Sequence, residues 1–401
     1  MISVEEASAR ILATFTPVGA ETVALAEAAG RISAAPVIAR TTQPPADVSA
    51  MDGFAVRAEE ARRGAALRLI GSAPAGHPFA GSVGAGETVR IFTGSFIPAG
   101  ADAVLLQEDA DAEEGGVRVR ETVRPGQHIR RMGQDFAHGD VVIAAGRRLS
   151  SRDIGLAAAA DHPWLLVHRR PRVAVLATGD EIALPGEPIP PGGIVSSNAH
   201  ALAAMVAALG GAPSVLPIAA DDTEAIGRAA DAARGFDLLL TTGGISVGAH
   251  DLVQEGLARR GLAVDFWKIA MRPGKPLMFG RLGEMPVLGL PGNPVAAFVC
   301  ALLFARPALL RLAGLAAAPL PTTTAETATA LGANDRRFDF LRARLEEDAA
   351  GRLVATAFAV QDSAMQAVLA RADALILRPP HAPAVAAGAA VEIVRFDRLG
   401  L

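Results

Sequence analysis

Residues 236–248, Phe-Asp-Leu-Leu-Leu-Thr-Thr-Gly-Gly-Ile-Ser-Val-Gly, decide the fold of this 401-residue chain. The compact apolar run at 236–240 is typical of a strand that is buried on both faces of a parallel sheet. A glycine-rich turn follows the run and leads into a helix-compatible stretch. A strand, a glycine turn and a helix start together leave backbone N–H groups unpaired, and such groups bind phosphate or another oxyanion. The segment therefore predicts an anion site at the end of a buried strand.

Two further turns lie close by in the sequence. Residues 272–276 read Arg-Pro-Gly-Lys-Pro, and residues 290–294 read Leu-Pro-Gly-Asn-Pro after a second apolar run. Lys268, Arg272 and Lys275 are three cations in or just before the first of these turns. A cation-rich segment is usually a solvated edge, but here the cations alternate with apolar residues and run into a turn, which favours an anion site. The three turns together predict a large polyanionic ligand that resembles a nucleotide.

The order of apolar runs around these turns predicts the fold class. Compact runs alternate with helix-compatible stretches that end at Gly210 and Gly235, as is typical of a doubly wound α/β domain. The predicted strands are 173–177, 214–218, 236–240 and 286–290, and the predicted helices are 198–209 and 223–234. Ligands of such sheets bind beyond the carboxyl ends of the strands, where the glycine turns fall.

The rest of the chain predicts three more regions, so the protein is an α/β multidomain chain. Segments of helical and mixed character at 1–45 and 137–170 predict a helical connector, and short β-like segments at 46–136 predict a β-rich domain. The α/β domain takes 171–318, and 319–401 predict a C-terminal β-barrel. Strands are predicted in the β-rich domain at 65–70, 88–92, 103–107 and 117–122, and in the barrel at 338–345, 352–359, 374–377 and 390–396.

The composition excludes several classes of function. Hydrophobic residues make up 51% of the chain, and the formal net charge of −4 gives no general attraction to nucleic acid or to an anionic membrane. The apolar run 295–305 is shorter than the ~20 residues of a membrane span. The single Cys300 excludes an intrachain disulfide and agrees with a reducing cytoplasm. We therefore expect a cytoplasmic protein with no nucleic-acid partner and no membrane partner.

Acidic pairs follow two of the predicted strands. Asp180 and Glu181 come directly after the first strand, where one carboxylate is a cap or an ion-pair partner and the other is free to hold a hard cation through oxygen. Asp222 is placed to cap the helix that follows it, which leaves Asp221 free. The sequence thus predicts carboxylates at the ligand edge of the sheet.

Three other polar residues have two interpretations each. Asp52, in Ser-Ala-Met-Asp-Gly at 49–53, is either part of an ordinary Asp-Gly turn or a functional carboxylate on a rigid loop. Asp251 either caps the helix after it or faces the ligand. Ser246 is favoured as a hydrogen-bond donor to an oxyanion over a nucleophile, because no His or Asp stands at a spacing that suggests a triad.

Taken together, these segments resemble the molybdopterin molybdenumtransferase family, which includes the bacterial enzyme MoeA and the E domain of gephyrin-like proteins. Matching motifs also occur outside the three turns, so the resemblance extends over nearly the whole chain. The additional motifs are Ser-Ala-Met-Asp-Gly at 49–53, Phe-Thr-Gly at 92–94, Pro-Ala-Gly-Ala-Asp-Ala-Val at 98–104, Gly-Gln-Asp at 133–135 and Ala-Thr-Gly-Asp-Glu at 177–181.

The resemblance implies an architecture and a reaction. The expected protein is an L-shaped homodimer whose protomer has a helical connector, a β-rich domain, an α/β domain of the molybdopterin-binding type and a C-terminal β-barrel. The expected reaction inserts molybdenum, supplied as molybdate, into adenylylated molybdopterin with release of AMP, in the presence of Mg²⁺. The expected partners are a second copy of the chain, the molybdopterin adenylyltransferase that precedes it and the maturation partners of molybdoenzymes.

The resemblance also assigns site residues at matching motif positions. The expected functional acids are Asp52, Asp135, Glu181, Asp221 and Asp251, of which Glu181, Asp221 and Asp251 are the expected metal ligands. The expected substrate-binding residues are Thr93, Gly243, Gly244, Ser246, Lys268, Arg272, Lys275, Pro291, Asn293, Pro294, Arg342 and Ser363. Asp52, Thr93 and Asp135 belong to the β-rich region, so in such a dimer they would approach the α/β domain of the partner subunit.

Two departures and two alternatives accompany the resemblance. Arg272 stands where the family often has Lys, and it keeps the charge while adding a fork for oxyanions; His250 stands beside Asp251 where the family is frequently acidic. One alternative function is adenylylation of molybdopterin, although that enzyme lacks the added β-rich and barrel domains. The other is a non-catalytic, gephyrin-like scaffold, which the intact acids disfavour.

Overall fold

The computed structural model describes residues 1–243, 252–316 and 319–400. A six-stranded sheet forms the centre of the α/β region, and its first four strands are parallel while the last two are antiparallel. In sheet order the strands are Ala212–Val215, Arg172–Ala177, Leu238–Thr242, Met285–Leu290, Met278–Leu282 and Leu262–Trp267. The predicted doubly wound α/β domain is confirmed, with two antiparallel strands added at one side.

Helices cover both faces of this sheet. Val173 and Val175 point into one core cluster and Ala174 and Leu176 into another, so the strand Arg172–Ala177 is buried on both faces, as its apolar run predicts. Burying each Val or Leu side chain contributes about 1.5–3 kcal/mol. The helices are Asn198–Ala208, Thr223–Ala232, Leu252–Ala258, Pro294–Cys300 and Arg306–Leu312.

The last two of these helices join into one helical stretch through the π-helical segment Ala301–Ala305. By length and composition alone, Pro294–Leu312 is long and apolar enough to cross a membrane. The stretch contributes many residues to the larger core cluster, and 78% of its most apolar window is buried inside the protein. Burial of that kind is typical of the core helix of an α/β domain.

The first helix, Val4–Thr14, packs on the α/β domain rather than within the connector sheets. Its Ala7 and Ile11, with Phe15 just beyond it, belong to the same core cluster as the central sheet. Its start is fixed by the Ser3 hydroxyl, which accepts a hydrogen bond of 3.0 Å from the Glu6 N–H.

The β-rich region is a six-stranded sheet, which confirms the prediction of a β-rich fold. Its pairings are antiparallel except for one parallel pair in the middle. In sheet order the strands are Ala103–Leu106, Gly53–Val56, Glu87–Ile91, Ala66–Ala73, Gly116–Val119 and Ala110–Glu113, and the 3₁₀ segment Gln107–Asp109 joins two of them.

The connector consists of small two-stranded sheets and short helices, and each sheet pairs a strand of the first segment with a strand of the second. Its helix Ser151–Ala159 starts with a capping box, in which Ser150 and Asp153 exchange hydrogen bonds. The paired strands are Ala20–Ala24 with Trp164–His168 and Val37–Ile38 with Val141–Ile143. Val48–Ser49 pairs with Ile129–Arg130 at the two ends of the segment that is predicted to be β-rich. Leu25–Ala28 is a short helix. The pair Ile182–Ala183 and Ile194–Val195 belongs to a loop of the α/β region.

The C-terminal region is a closed five-stranded barrel, as the sequence predicts. Around the barrel the strands are Phe338–Glu347, Leu353–Ala357, Thr323–Thr327, Ala390–Arg395 and Ala374–Arg378, and the last pairs with the first. A two-residue strand, Met271–Arg272, lies parallel to the start of Phe338–Glu347 and so joins the barrel to the α/β region. The helix Gln366–Ala370 and the 3₁₀ segment Phe396–Arg398 complete the region.

Several predicted strand boundaries differ from the structure for local reasons. The strand predicted at 236–240 is Leu238–Thr242, because the Asp237 carboxylate binds the Arg169 guanidinium and the Arg172 N–H instead of continuing the strand. The strand predicted at 214–218 is Ala212–Val215; it lies at the sheet edge, and Pro217 has no N–H to continue the ladder. No finding tests the predicted domain boundaries, which stay a prediction.

Candidate functional site

The carboxyl ends of three parallel strands bring the predicted site segments together. The Thr178 N–H donates to the Thr242 carbonyl at 3.1 Å, and the Thr242 hydroxyl donates to the Pro291 carbonyl at 3.2 Å. Asn198, at the start of its helix, donates from Nδ2 to the Thr242 hydroxyl at 2.9 Å and to the Gly292 carbonyl at 2.7 Å. Asn198 belongs to none of the sequence motifs. Its two hydrogen bonds hold two of the glycine turns together.

Gly243 begins the first glycine turn. Its φ of +93° is in the left-handed region, and a Cβ atom at this position would overlap the Thr178 carbonyl oxygen. Only glycine fits such a conformation and such a close approach. The turn therefore presents bare backbone beside Thr178. Gly244, Ser246 and Asp251, which the sequence assigns to the site, lie outside the described residues.

Asp180, Glu181 and Asp221 form an acidic group at this edge. The Asp180 carboxylate accepts the Asp221 N–H at 3.0 Å, so Asp180 is the structural member of its pair. Partial desolvation raises the pKa of Asp221 above its ordinary value; a hydrogen bond from the Asp180 N–H offsets part of this rise, and the negative charges of Asp180 and Glu181 add to it. Asp222 caps the next helix by accepting the Ala225 N–H at 2.8 Å, as predicted. Asp221 is thereby left to face its acidic neighbours.

The predicted cations lie on the segment between the sheet and the barrel. Lys275 is exposed, and Lys268 Nζ lies 4.4 Å from the centroid of the Trp267 ring. No ion pair engages either lysine within the described ranges. Gly274 has φ +109° and packs so closely on the buried Cys300 that a Cβ would overlap its sulfur. This contact fixes the turn against the core helix, and burial raises the pKa of the Cys300 thiol, as expected for a bystander.

Arg272 has carboxylate partners that the sequence analysis missed. Its guanidinium makes a short ion pair with the buried Asp339 and approaches Asp335 at 3.8 Å. Both acids belong to the barrel, so Arg272 ties the barrel to the α/β region. The Arg337 side chain, the Arg337 N–H and the charge of Arg272 together lower the pKa of Asp335 to about 2. As folded, Arg272 is not a free cation, although half of its side chain remains exposed.

The third glycine turn meets a loop of the barrel. Asn293 precedes the helix Pro294–Cys300 and donates from Nδ2 to the Ser363 hydroxyl at 2.8 Å, and the Val295 N–H donates to the Ser363 carbonyl at 3.0 Å. Pro291 and Pro294 flank this contact. The structure thus places Asn293 in contact with Ser363, with Pro291 and Pro294 close by in the chain, and their assignment to the site stays a prediction.

Arg342 forms hydrogen bonds with the barrel loop that carries Ser363. Its residue surface is 1% exposed, and its terminal nitrogens donate to the carbonyls of Asp362 at 2.8 Å and Val360 at 3.4 Å. Its Nε is buried without a partner among the described atoms. The side chain therefore positions the Ser363 loop, and a direct contact between Arg342 and an oxyanion stays a prediction.

The β-rich residues of the predicted site form a separate group. The Asp52 carboxylate accepts the Thr93 N–H at 2.7 Å and the Thr93 hydroxyl at 2.8 Å. These two bonds, with a smaller contribution from the charge of Arg90, lower the pKa of Asp52. Asp135 is exposed, and its N–H donates to the Gln43 carbonyl at 3.0 Å. Within the described part of one chain, no hydrogen bond or ion pair joins this group to the α/β edge.

The fold and this site define an α/β protein whose glycine-rich, acidic sheet edge is flanked by two β domains. Profiles of three protein regions match the chain: the MoeA N-terminal region (domain I and II) at residues 2–160, a probable molybdopterin binding domain at 174–311 and the MoeA C-terminal region (domain IV) at 324–396. The three matches follow one another along nearly the whole chain.

Individual relatives agree with these profiles. A molybdopterin molybdenumtransferase of Haemophilus influenzae is 33% identical over 407 residues, covering 100% of both chains. One from a Nostoc species is 38% identical over 305 residues, covering 74% of this chain and 70% of its own. The crystal structure of a molybdopterin biosynthesis MoeA protein from Pyrococcus horikoshii superposes with a TM-score of 0.87 at 29% identity, covering 99% of each chain.

The chain belongs to the molybdopterin molybdenumtransferase family, as the sequence motifs indicate. It is therefore a transferase of molybdenum cofactor biosynthesis.

Proposed function

We propose that this chain inserts molybdenum from molybdate into adenylylated molybdopterin and releases AMP. The observation that carries the proposal is the meeting of Asp180, Glu181 and Asp221 with the bare backbone of Gly243 at one sheet edge. Backbone amides at strand ends suit a pyrophosphate, and carboxylates suit a hard cation bound to it. The related molybdopterin molybdenumtransferases support the transfer of molybdenum to molybdopterin in this proposal.

Mg²⁺ is part of the proposal, and the donor set fits it. Mg²⁺ is usually bound by one or two carboxylates together with substrate phosphates. Glu181 and Asp221 supply such carboxylates, and a divalent cation would relieve the repulsion that raises the pKa of Asp221. Among the described residues, no three His, Cys, Asp or Glu gather closely enough to hold a metal on their own. Asp251 and substrate oxygens would complete the ligand set.

When bound, Mg²⁺ would neutralise charge on the phosphoryl oxygens. Glu181, Asp221 and Asp251 orient the attacking water in this proposal. The water adds to a phosphorus of the anhydride, the bridging P–O bond breaks, and AMP leaves. The two pterin thiols then bond to molybdenum, and their two protons leave with one molybdate oxygen as water. The Gly243 turn and the side chains of Lys268 and Lys275 hold the anionic substrate.

The proposal includes a homodimer in the cytoplasm. Among the described residues of one chain, no hydrogen bond or ion pair joins Asp52, Thr93 or Asp135 of the β-rich region to the α/β edge. A second copy that brings its β-rich domain to this edge would complete the pocket with these residues. Symmetric dimers of this kind are the commonest soluble oligomers. Molybdopterin adenylyltransferase and molybdoenzyme maturation proteins are the proposed suppliers and recipients.

The test is AMP release from adenylylated molybdopterin by Glu181→Ala protein in the presence of Mg²⁺ and molybdate. We expect the wild type to release AMP and Glu181→Ala to lose at least about 10²-fold in rate, because a metal-binding carboxylate is removed. Glu187→Ala, which removes an exposed acid from the same loop, is the matched control and keeps the wild-type rate. Wild-type rates in Glu181→Ala would refute the assigned role.

Assays of the two possible products, AMP and pyrophosphate, distinguish the alternative functions. Release of pyrophosphate from ATP and molybdopterin, without AMP release from the adenylylated pterin, would indicate an adenylyltransferase. Wild-type protein that turns over neither substrate would indicate a scaffold.

A further inference from the structure

Arg90 is a half-buried residue of the β-rich sheet, and its charge acts on the Asp52 carboxylate of the Asp52–Thr93 pair. It is on the strand Glu87–Ile91, directly opposite Phe54 on the neighbouring antiparallel strand. Its guanidinium carbon is 4.9 Å from the centroid of the Phe54 ring and 5.1 Å from that of the Phe92 ring. Contacts at these distances with two rings hold an arginine by cation–π attraction as well as by packing.

The hydrogen bonds of Arg90 reach two further segments. Nη1 donates to the Gly53 carbonyl at 3.4 Å, and Nη2 donates to Gln107 Oε1 at 2.6 Å. The Gln107 N–H in turn donates to the Asp52 carbonyl at 3.3 Å. One guanidinium therefore contacts the residue after Asp52, the residue before Thr93 and the residue whose amide holds the Asp52 main chain.

The environment of Arg90 distinguishes it from the other cations of this sheet. Arg68, on the adjacent strand Ala66–Ala73, makes an ion pair with Glu87 and is largely exposed. Arg118 likewise pairs with Glu113. Arg90 has no carboxylate within ion-pair distance in the described part of the chain, and its polar bonds go to neutral oxygens. Its positive charge favours the ionised form of Asp52.

We propose that Arg90 is a positioning residue for the Asp52–Thr93 pair. Fixed by Phe54, Phe92 and Gln107, it sets the distance between the two loops that carry Asp52 and Thr93 and keeps the Asp52 carboxylate aimed at the composite pocket. Its bonds are made within the chain, so it acts through Asp52 and not by contact with the substrate. This inference rests on the proposed function, in which Asp52 and Thr93 meet the adenylylated pterin.

The experiment measures kcat and KM for AMP release, and the melting temperature, for a set of variants. Arg90→Gln removes the charge and the fork, and Arg90→Lys keeps the charge alone. Arg68→Gln is the matched control, because it removes an arginine from the same sheet away from Asp52. Each change at Arg90 is also made in the Asp52→Asn background to give a double-mutant cycle.

We expect Arg90→Gln to lower kcat/KM about tenfold, because small misplacement of a site group has effects of this size or larger. Arg90→Lys recovers part of the loss, and Arg68→Gln stays within about twofold of wild type. In the Asp52→Asn background the same Arg90→Gln change costs less than about twofold, since the group it positions is already gone. A role in stability alone would lower the melting temperature and leave the two losses additive.

Wild-type kcat/KM in Arg90→Gln, or an undiminished tenfold loss in the Asp52→Asn background, overturns the inference and leaves the proposed function intact. Absence of AMP release by the wild type overturns the proposed function, and this inference with it. Should Arg90→Gln fail to fold, Gln107→Leu leaves Arg90 in place and removes the Nη2 acceptor, together with an exposed hydrogen bond from Gln107 Nε2 to Glu108. That variant is expected to lose about threefold in kcat/KM with the same dependence on Asp52, and additive losses would overturn the inference.

Discussion

The pKa of a site carboxylate is raised at the α/β sheet edge and lowered in the β-rich sheet. At the edge, burial and the charges of Asp180 and Glu181 raise the pKa of Asp221. In the β-rich sheet, the N–H and the hydroxyl of Thr93 hold the pKa of Asp52 below its ordinary value. Asp221 has no neighbouring cation among its described surroundings, whereas the Asp52 carboxylate already accepts two hydrogen bonds from Thr93. In the proposed function, the first region receives a cation and the second presents a fixed hydrogen-bond acceptor.

The largest expected effect comes from removing the charge at the edge. We expect Asp221→Asn to lower AMP release by about 10²–10³-fold, because the carboxylate orients metal and water in the proposed mechanism. The melting temperature should stay equal or rise, since the substitution removes a repelled charge. Enzyme assay and calorimetry check both expectations together.

Asp222→Asn is the matched control for this prediction. The side chain is the neighbour of Asp221 and caps a helix, and Asn caps as well as Asp. Activity should therefore be unchanged. A loss as great as that of Asp221→Asn would show that the two acids are not functionally distinct.

Mixing of two variants with strongly reduced activity tests whether the two regions meet between subunits. Asp52→Asn and Glu181→Gln proteins, unfolded and refolded together, should recover about a quarter of the wild-type activity. About half of the dimers are then mixed, and each mixed dimer has one intact site of two. Native mass spectrometry counts the mixed dimers. Mixed dimers without activity would place both residues in a site made by a single chain.

The link between the barrel and the α/β region should have a smaller effect. Asp339→Asn removes the buried partner of Arg272 and should cost about 1–3 kcal/mol in the free energy of unfolding. Substrate KM should change only a few-fold, because Lys268 and Lys275 keep their charges. Urea unfolding gives the free energy. Glu346→Gln, an exposed acid on the same strand, is the control, and equal losses in both variants would refute a specific link.

The smallest expected effect is a pH dependence of opposite sign in the two regions. The folded-state pKa of Asp52 is lowered, so its stabilising contribution is present above the unfolded value near 3.8 and is lost as pH falls through the folded pKa. The folded-state pKa of Asp221 is raised, so its contribution turns unfavourable as pH rises above 3.8. Between about pH 3 and 7, the melting temperature of Asp52→Asn should fall relative to wild type and that of Asp221→Asn should rise. Shifts of the same sign would contradict the comparison.

Local patterns made much of the fold predictable. The helix Thr223–Ala232 and its cap Asp222 follow from a few adjacent residues, and the strand Met285–Leu290 follows from one apolar run. The antiparallel strands Leu262–Trp267 and Met278–Leu282 were not predicted. Leu262–Trp267 lies at the sheet edge with exposed residues at its centre, so it lacks the continuous apolar run of a buried strand.

The site was predictable where its motifs are contiguous, and less so where it depends on distant partners. The meeting of the glycine turns follows from parallel strands ending at one edge. The partner of Arg272 does not follow, because Asp339 lies 67 residues later and belongs to another domain. Asn198 is likewise 94 residues from Gly292, and no local pattern announces their hydrogen bond.

The strand Met271–Arg272 has a consequence for exchanging modules between homologues. Its pairing with Phe338 and Asp339, and the bond of 2.9 Å from the Phe338 N–H to the Ala270 carbonyl, make it a sixth strand of the barrel sheet. A chimera that transplants only the C-terminal segment would leave this strand behind in the host. The transplantable unit is therefore discontinuous, and swaps should carry residues 268–276 along with the barrel.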